Sequence, residues 1–354
     1  MSRFFSGKYD ALTPYTPGEQ PRGQTFIKLN TNESPFPPAP LAQQYARAEA
    51  EKLQLYSDPQ CRDLTAMAAE KLGVREDEIL FTNGSDEILN FAFMAFCDSA
   101  HPVAFPAISY GFYPVFAQLN GIPYTEIPLQ EDFSIQVEDY IGLDQTIVIA
   151  NPNAPTGLYL PLSDIERIVD SNPDNVVIID EAYIDFGGES AMTLIPKYDN
   201  LLVVQTFSKS RSMAGARLGF GAGNRKLIQD LNTIKYSVNP YNVNRMTMAA
   251  GVGALEADGY FRVNCQKIME TRQWTTEKLE ELGFDVIPSM ANFVFAKHRE
   301  IPGKDLYLAL REKGILVRHF DKPRLKDYNR ITIGSREQMK ALVKALTEIL
   351  EVSP

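Results

Sequence analysis

Cysteine, histidine and tryptophan are scarce in this 354-residue chain, at three, three and one residue. Cys61, Cys97 and Cys265 are odd in number and far apart. Neither a disulfide framework nor a zinc-ligand spacing can be assembled from them, and a reducing cytoplasm is the expected setting. His101, His298 and His319 are equally dispersed, so no metal site is expected. No stretch approaches the roughly 20 uninterrupted apolar residues of a membrane-crossing helix. The start, M-S-R-F-F-S-G-K-Y-D, has no apolar signal-peptide core. Basic residues are outnumbered, 35 against 45, and the net charge of −10 argues against nucleic acid or an anionic membrane as a general partner. An anionic small molecule stays open, because a local arginine cluster can sit inside an acidic protein.

What is present reads as an enzyme-sized globular chain. The hydrophobic share of 44% and charged share of 23% are ordinary, and the length favours two domains. Residues 1–38, rich in Pro, Gly, Thr and Asn, read as an extended arm that lies on its own subunit or reaches a second one. Residues 64–72 read as an amphipathic helix. Residues 78–82 read as a strand, then an Asn83-Gly84 turn and a helix beginning at Ser85 or Asp86. Apolar, often β-branched runs at 103–105, 146–150, 176–179 and 201–206 suit strands buried on both faces of a mainly parallel sheet. Helical stretches such as 162–170 lie between them, giving an α/β layer. After about residue 245 the pattern changes. A helical stretch at 246–282 is interrupted by Gly251, Gly253 and Gly259, followed by strands at 292–296 and 330–333 and a last helix at 337–351. The expected division is an arm at 1–38, a large α/β domain at 39–245 and a smaller α+β domain at 246–354.

Three features stand directly after strands, where open α/β sheets place their ligands. V-V-I-I-D-E-A-Y, residues 176–183, ends an apolar run in Asp180 and continues to Tyr183. T-F-S-K-S, residues 206–210, puts Lys209 behind the next run, with Arg217 eight residues later among small residues. A lysine amine forms imines with aldehydes, and burial or nearby cations make it more reactive. N-G-S-D-E, residues 83–87, opens a helix whose first N–H groups suit an anion. Taken singly, each has an ordinary explanation as a cap, a solvated loop lysine or a turn.

Their order is the informative part. Strand–Asp–x–x–Tyr, strand–Ser–Lys and a following Arg, with N-P-N-A-P-T-G at 151–157, resemble the core of fold type I pyridoxal-phosphate enzymes. L-N-T-N-E-S-P-F-P-P at 29–38, L-T-P-Y at 12–15, Y-S-D-P at 56–59 and N-R-I-T-I-G at 329–334 extend the resemblance to the histidinol-phosphate aminotransferase family, over almost the whole chain. The resemblance implies a large domain with a mainly parallel sheet flanked by helices, a smaller α+β C-terminal domain, and pyridoxal 5'-phosphate as cofactor. It implies that Lys209 carries the cofactor as an imine and moves the substrate proton. Asp180 would meet the ring nitrogen, Tyr183 the ring oxygen and Tyr110 the ring face. Ser85, Asp86, Ser208 and Arg217 would form the phosphate cup, and Tyr56 would reach it from the neighbouring subunit of a homodimer. One departure is that Ala154 stands where the wider class has Asn before P-T-G, with Asn153 as a substitute. Arg330 would clamp a carboxylate, while Tyr15 from the partner's arm, Asn32 and Arg318 would meet the substrate phosphate. The expected reaction moves the amino group between histidinol phosphate and 2-oxoglutarate. An aromatic-amino-acid aminotransferase, a threonine-phosphate-type decarboxylase and a non-catalytic regulator of the same fold remain alternatives.

Overall fold

The computed structural model describes residues 2–21, 23 and 25–352. Its larger sheet has seven strands: β1 (Ile79–Thr82), β2 (Val103–Pro106), β3 (Tyr124–Ile127), β4 (Thr146–Ala150), β5 (Val177–Asp180), β6 (Leu201–Thr206) and β7 (Gly219–Gly223). They lie in the order β1-β7-β6-β5-β4-β2-β3. All pairings are parallel except those of β7, which is antiparallel to β1 and β6. Every residue of β4 and β5 is buried, as Val/Ile-rich strands with helices on both faces must be.

Two strands of this sheet have no hydrophobic signature. β3 is an edge strand whose first three residues are exposed. β7 reads G-F-G-A-G and looks like a loop, yet is wholly buried. A Cβ at Gly219 would collide with the backbone nitrogen of Ser85, and one at Gly221 would lie 2.8 Å from Ile88 Cγ1. The strand is glycine-rich because the helix Ser85–Phe96 passes directly over it.

The smaller sheet comprises β8 (Phe284–Ile287), β9 (Phe293–His298), β10 (Arg318–His319) and β11 (Asn329–Thr332), all antiparallel in the order β10-β11-β9-β8. The helix Asp258–Glu281 buries Cys265, Ile268 and Leu279 in the core under this sheet. The preceding helix, Arg245–Glu256, instead packs on Pro40–Ala50 and Arg62–Leu72 of the large unit. The change of packing partner thus falls at Ala257, beyond the expected boundary at 246, and the helical stretch divides there (φ −85°, ψ 42°) and not at a glycine. Gly253 serves close approach, since a Cβ there would stand 2.7 Å from the backbone of Leu41 and Ala42. The arm lies on its own chain: Ile27–Lys28 pairs in parallel with Ile315–Leu316, and Leu29 is fully buried in the small core.

Candidate active site

β5 and β6 run side by side, with Asp180 in register with Ala150 and Val204. The carboxylate and the turn that follows β6 therefore emerge at one sheet edge. That turn is held from both sides. The Ser210 hydroxyl donates to Asp185 Oδ2 at 2.5 Å, and the Ser212 hydroxyl meets that of Ser34 in the arm at 2.8 Å. Lys209 directly precedes the first of these ties, its Nζ donating to the Thr31 carbonyl at 3.3 Å and sitting 5.9 Å from the Tyr183 ring centre. Burial, and after it the charge of Arg330, lowers the lysine from 10.5 to about 8. Roughly one amine in ten is then neutral near pH 7, enough for a nucleophile.

Two adjoining cavities meet at this lysine, of ≈ 540 and ≈ 190 Å³, and both are lined by Thr31, Tyr110, Ala154, Tyr183 and Lys209. Asp180 stands in the wall of the smaller one, 4% exposed. Its Oδ2 accepts the Tyr113 hydroxyl at 2.8 Å and its Oδ1 the backbone N–H of Ala182 at 3.3 Å. Burial raises this carboxyl to about 6, against the opposing effect of the Tyr113 hydrogen bond. Arg217, the first N–H groups of the helix Ser85–Phe96, and Ser208 line the same cavity, with Arg217 Nη1 3.5 Å from the Ser208 hydroxyl. These donors make an anion cradle. Asp86 enters it differently from the expectation. Its carboxylate accepts from Tyr110 Oη (2.7 Å) and Arg217 Nη2 (3.0 Å). A carboxylate repels phosphate, so Asp86 can offer an anion only its backbone N–H, while its side chain fixes Tyr110 and Arg217.

The larger cavity is lined by Tyr15, Asn32, Arg318, Lys322 and Arg330. Arg330 donates to the Asn30 carbonyl at 3.1 Å and lies over Phe293 and Phe320, while its Nε is buried without a hydrogen-bond partner. Burial lowers its proton affinity. Arg318 reaches back to the arm carbonyls of Thr16 and Pro17. Among the described residues, none of Arg318, Lys322 and Arg330 pairs with a carboxylate. Arg318 and Arg330 are half-buried and Lys322 is exposed, and half-buried cations without a carboxylate partner favour an anionic ligand. Lys322 was absent from the sequence-level expectation, since a lysine in a polar loop carries no signal.

Three expected residues, Tyr15, Asn32 and Asn153, sit or act otherwise than anticipated. Tyr15 belongs to the chain's own arm, stacked 4.4 Å from Phe112 at the cavity mouth, and needs no partner to reach it. Asn32, with φ 56°, gives its amide to the Tyr183 hydroxyl at 3.0 Å and takes the Thr332 hydroxyl on its Oδ1. It braces Tyr183 with one amide N–H, a structural task in addition to any contact with a substrate. Asn153 is buried, its amide bound to the Ile108 carbonyl and Thr156, its Oδ1 to Ser109. It braces the loop, and Ala154 forms the wall instead. Tyr56 is 80% exposed, lines neither cavity, and stacks on Tyr241 at 4.6 Å.

The family model described as aminotransferase class I and II matches residues 24–346. The histidinol-phosphate aminotransferase of Brachyspira hyodysenteriae is 49% identical over 353 residues, covering 99% of this chain and 100% of that protein. A solved structure described as a putative histidinol-phosphate aminotransferase, from Erwinia carotovora atroseptica, is similar at 26% identity and a TM-score of 0.85, over 92% of this chain and 96% of that one. The histidinol-phosphate aminotransferase from Sinorhizobium meliloti, solved with pyridoxal-5'-phosphate, shares the fold at a TM-score of 0.88 and 24% identity, over 99% and 98% of the chains.

Proposed function

This chain belongs to the class I and II aminotransferases, and from that premise we propose that it moves an amino group between L-histidinol phosphate and 2-oxoglutarate. The observation that carries the substrate is the mouth of the larger cavity. Arg318, Lys322 and Arg330 line one space with Lys209, and among the described residues no carboxylate pairs with them. Histidinol phosphate offers a phosphate and no carboxylate, 2-oxoglutarate two carboxylates, and an array of cations serves both in turn. An aromatic amino acid would need only one of them. A volume of ≈ 540 Å³ suits a molecule of this size.

The residues around the smaller cavity fit pyridoxal 5'-phosphate: an amine of lowered proton affinity, a buried carboxylate, a phenol and an anion cradle line one space. When bound, that cofactor supplies an aldehyde for the amine and an electron sink for the substrate's Cα–H bond. Lys209 would hold it covalently, Arg217, Ser208 and the N–H groups of Ser85 and Asp86 would hold its phosphate, and Asp180 would keep its ring nitrogen protonated. Tyr183, oriented by Asn32, would donate to the ring oxygen. With the cofactor bound, Lys209 Nζ would be the base placed to take the substrate's Cα proton and to hand a proton back. Arg330 orients the substrate anion so that the Cα proton faces that amine. The arm, fastened by Arg318 to Thr16 and Pro17, covers the cavity and limits water.

The test is the relative kcat/KM for histidinol phosphate, phenylalanine and threonine phosphate, each with 2-oxoglutarate. Histidinol phosphate is expected to lead by at least about tenfold, the worth of one charge-assisted contact. A phenylalanine rate equal to it, or carbon dioxide release from threonine phosphate, would contradict the proposal.

The same reading assigns a homodimer with shared sites. Residues 53–56 and 236–241 meet at the Tyr56–Tyr241 stack and expose Leu53, Leu55, Tyr236 and Val238. Arg245 fixes this surface by donating to the Tyr56 carbonyl at 3.0 Å and to Glu49. A fixed, exposed tyrosine amid apolar side chains suits a second copy of the chain. If Tyr56 completes the partner's phosphate cradle, Lys209→Ala and Tyr56→Ala chains should restore activity to each other on mixing, since a mixed dimer holds one intact site. No gain over the separate variants would count against shared sites.

A further inference from the structure

The segment S-Y-G-F-Y at 109–113 carries two tyrosines three residues apart, Tyr110 and Tyr113, and each holds a carboxylate in the wall of the smaller cavity. Tyr110 Oη binds Asp86 Oδ1 at 2.7 Å. Tyr113 Oη binds Asp180 Oδ2 at 2.8 Å. Tyr113 is itself fully buried, its ring 5.7 Å from both Phe105 and Tyr110 and edge-on to the latter. A buried carboxylate with one long backbone hydrogen bond, 3.3 Å from Ala182 N, is poorly solvated and free to rotate. The phenol supplies a second, shorter bond from the far side.

We propose that Tyr113 is a positioning residue for Asp180: its hydroxyl fixes the plane of the carboxylate and keeps it anionic, so that a charged, oriented oxygen faces the smaller cavity. The inference rests on the cofactor assignment made above and adds a residue to it. Burial beside Asp180 keeps the Tyr113 phenol protonated, so it always acts as the donor. Without it, the carboxylate would take a proton more readily and present a neutral, mobile group to whatever cationic ring nitrogen it serves.

The test is Tyr113→Phe, which keeps the ring and its packing and removes one hydroxyl. The expected result is a fall in kcat of roughly tenfold or more, the worth of a hydrogen bond to a charged group, with KM for the amino donor within about twofold. The visible absorption of the pyridoxal-phosphate-loaded protein should change, and the cofactor should be lost faster on dialysis. Adding Tyr113→Phe to Asp180→Asn should have little further effect, because the hydroxyl acts only through that carboxylate. Parental kcat and absorption in Tyr113→Phe, or effects that multiply in the double variant, would overturn the inference. Loss of folding in Tyr113→Phe would also overturn it, by assigning the phenol to stability. If the parent protein gains no visible absorption with pyridoxal phosphate, the cofactor assignment falls as well; if the parent does and Tyr113→Phe matches it, only the role of Tyr113 falls.

Discussion

Lys209→Ala is expected to lower transamination on the order of 10⁴-fold or more, because one amine serves both as covalent anchor and as proton carrier. Among the described residues, Lys209 is the only lysine lining the smaller cavity, so no neighbour there can take over. Lys209→Arg keeps the charge but cannot form an imine with an aldehyde, and it should be as inactive. Activity of either variant within about tenfold of the parent would sink the assignment of Lys209. The lowered proton affinity adds a second signature. Only the neutral amine attacks, so the rate at which cofactor-free protein captures pyridoxal phosphate should rise with pH around a midpoint near 8, well below the ordinary 10.5.

Arg330→Gln carries the second large effect, and it has two opposite parts. The guanidinium is largely buried, has no carboxylate partner among the described residues, and leaves Nε unbonded. Loss of a charged hydrogen-bonded contact to the substrate anion should cut kcat/KM for both 2-oxoglutarate and the amino donor roughly 100-fold or more. Removal of a largely buried charge that is offset only by one carbonyl and two ring faces should meanwhile raise the stability of the substrate-free protein by roughly 1 kcal/mol. Steady-state kinetics and thermal melting on the same preparation check both. A variant that loses activity together with stability would show Arg330 to be a structural cation. The lowered Lys209 would also rise toward its ordinary range, since Arg330 is the second cause of its shift after burial.

The strands that position the site are legible in the sequence wherever burial on both faces forces β-branched runs, as in β4, β5 and β6. β7 is hidden for the reason that makes it work: its glycines let the helix start at Ser85 pass over the sheet, and glycine reads as a turn. At the site, Lys209, Asp180, Tyr183 and Arg217 are brought around one cavity, as their order after the strands implies. What stays illegible is the direction of a side chain within a loop. Asn32 and Asn153 look free in the sequence, yet each is committed by hydrogen bonds, to Tyr183 in one case and to Ile108, Ser109 and Thr156 in the other. Asp86 sits in the cradle as expected, but as a support for Arg217 and Tyr110, a distinction that depends on distances of 3.0 and 2.7 Å. Tyr113 is disguised as one more aromatic of the core, because only the position of its hydroxyl separates it from a phenylalanine.

The chemistry is assigned to Lys209. Borohydride reduction of the pyridoxal-phosphate-loaded protein, followed by digestion and mass mapping, tests it directly. The expected result is one cofactor adduct per chain, on the peptide that contains Lys209, and its absence after prior exposure to histidinol phosphate, which takes the amine's place. An adduct on another lysine, or none on a protein that nevertheless transaminates histidinol phosphate, would contradict the claim.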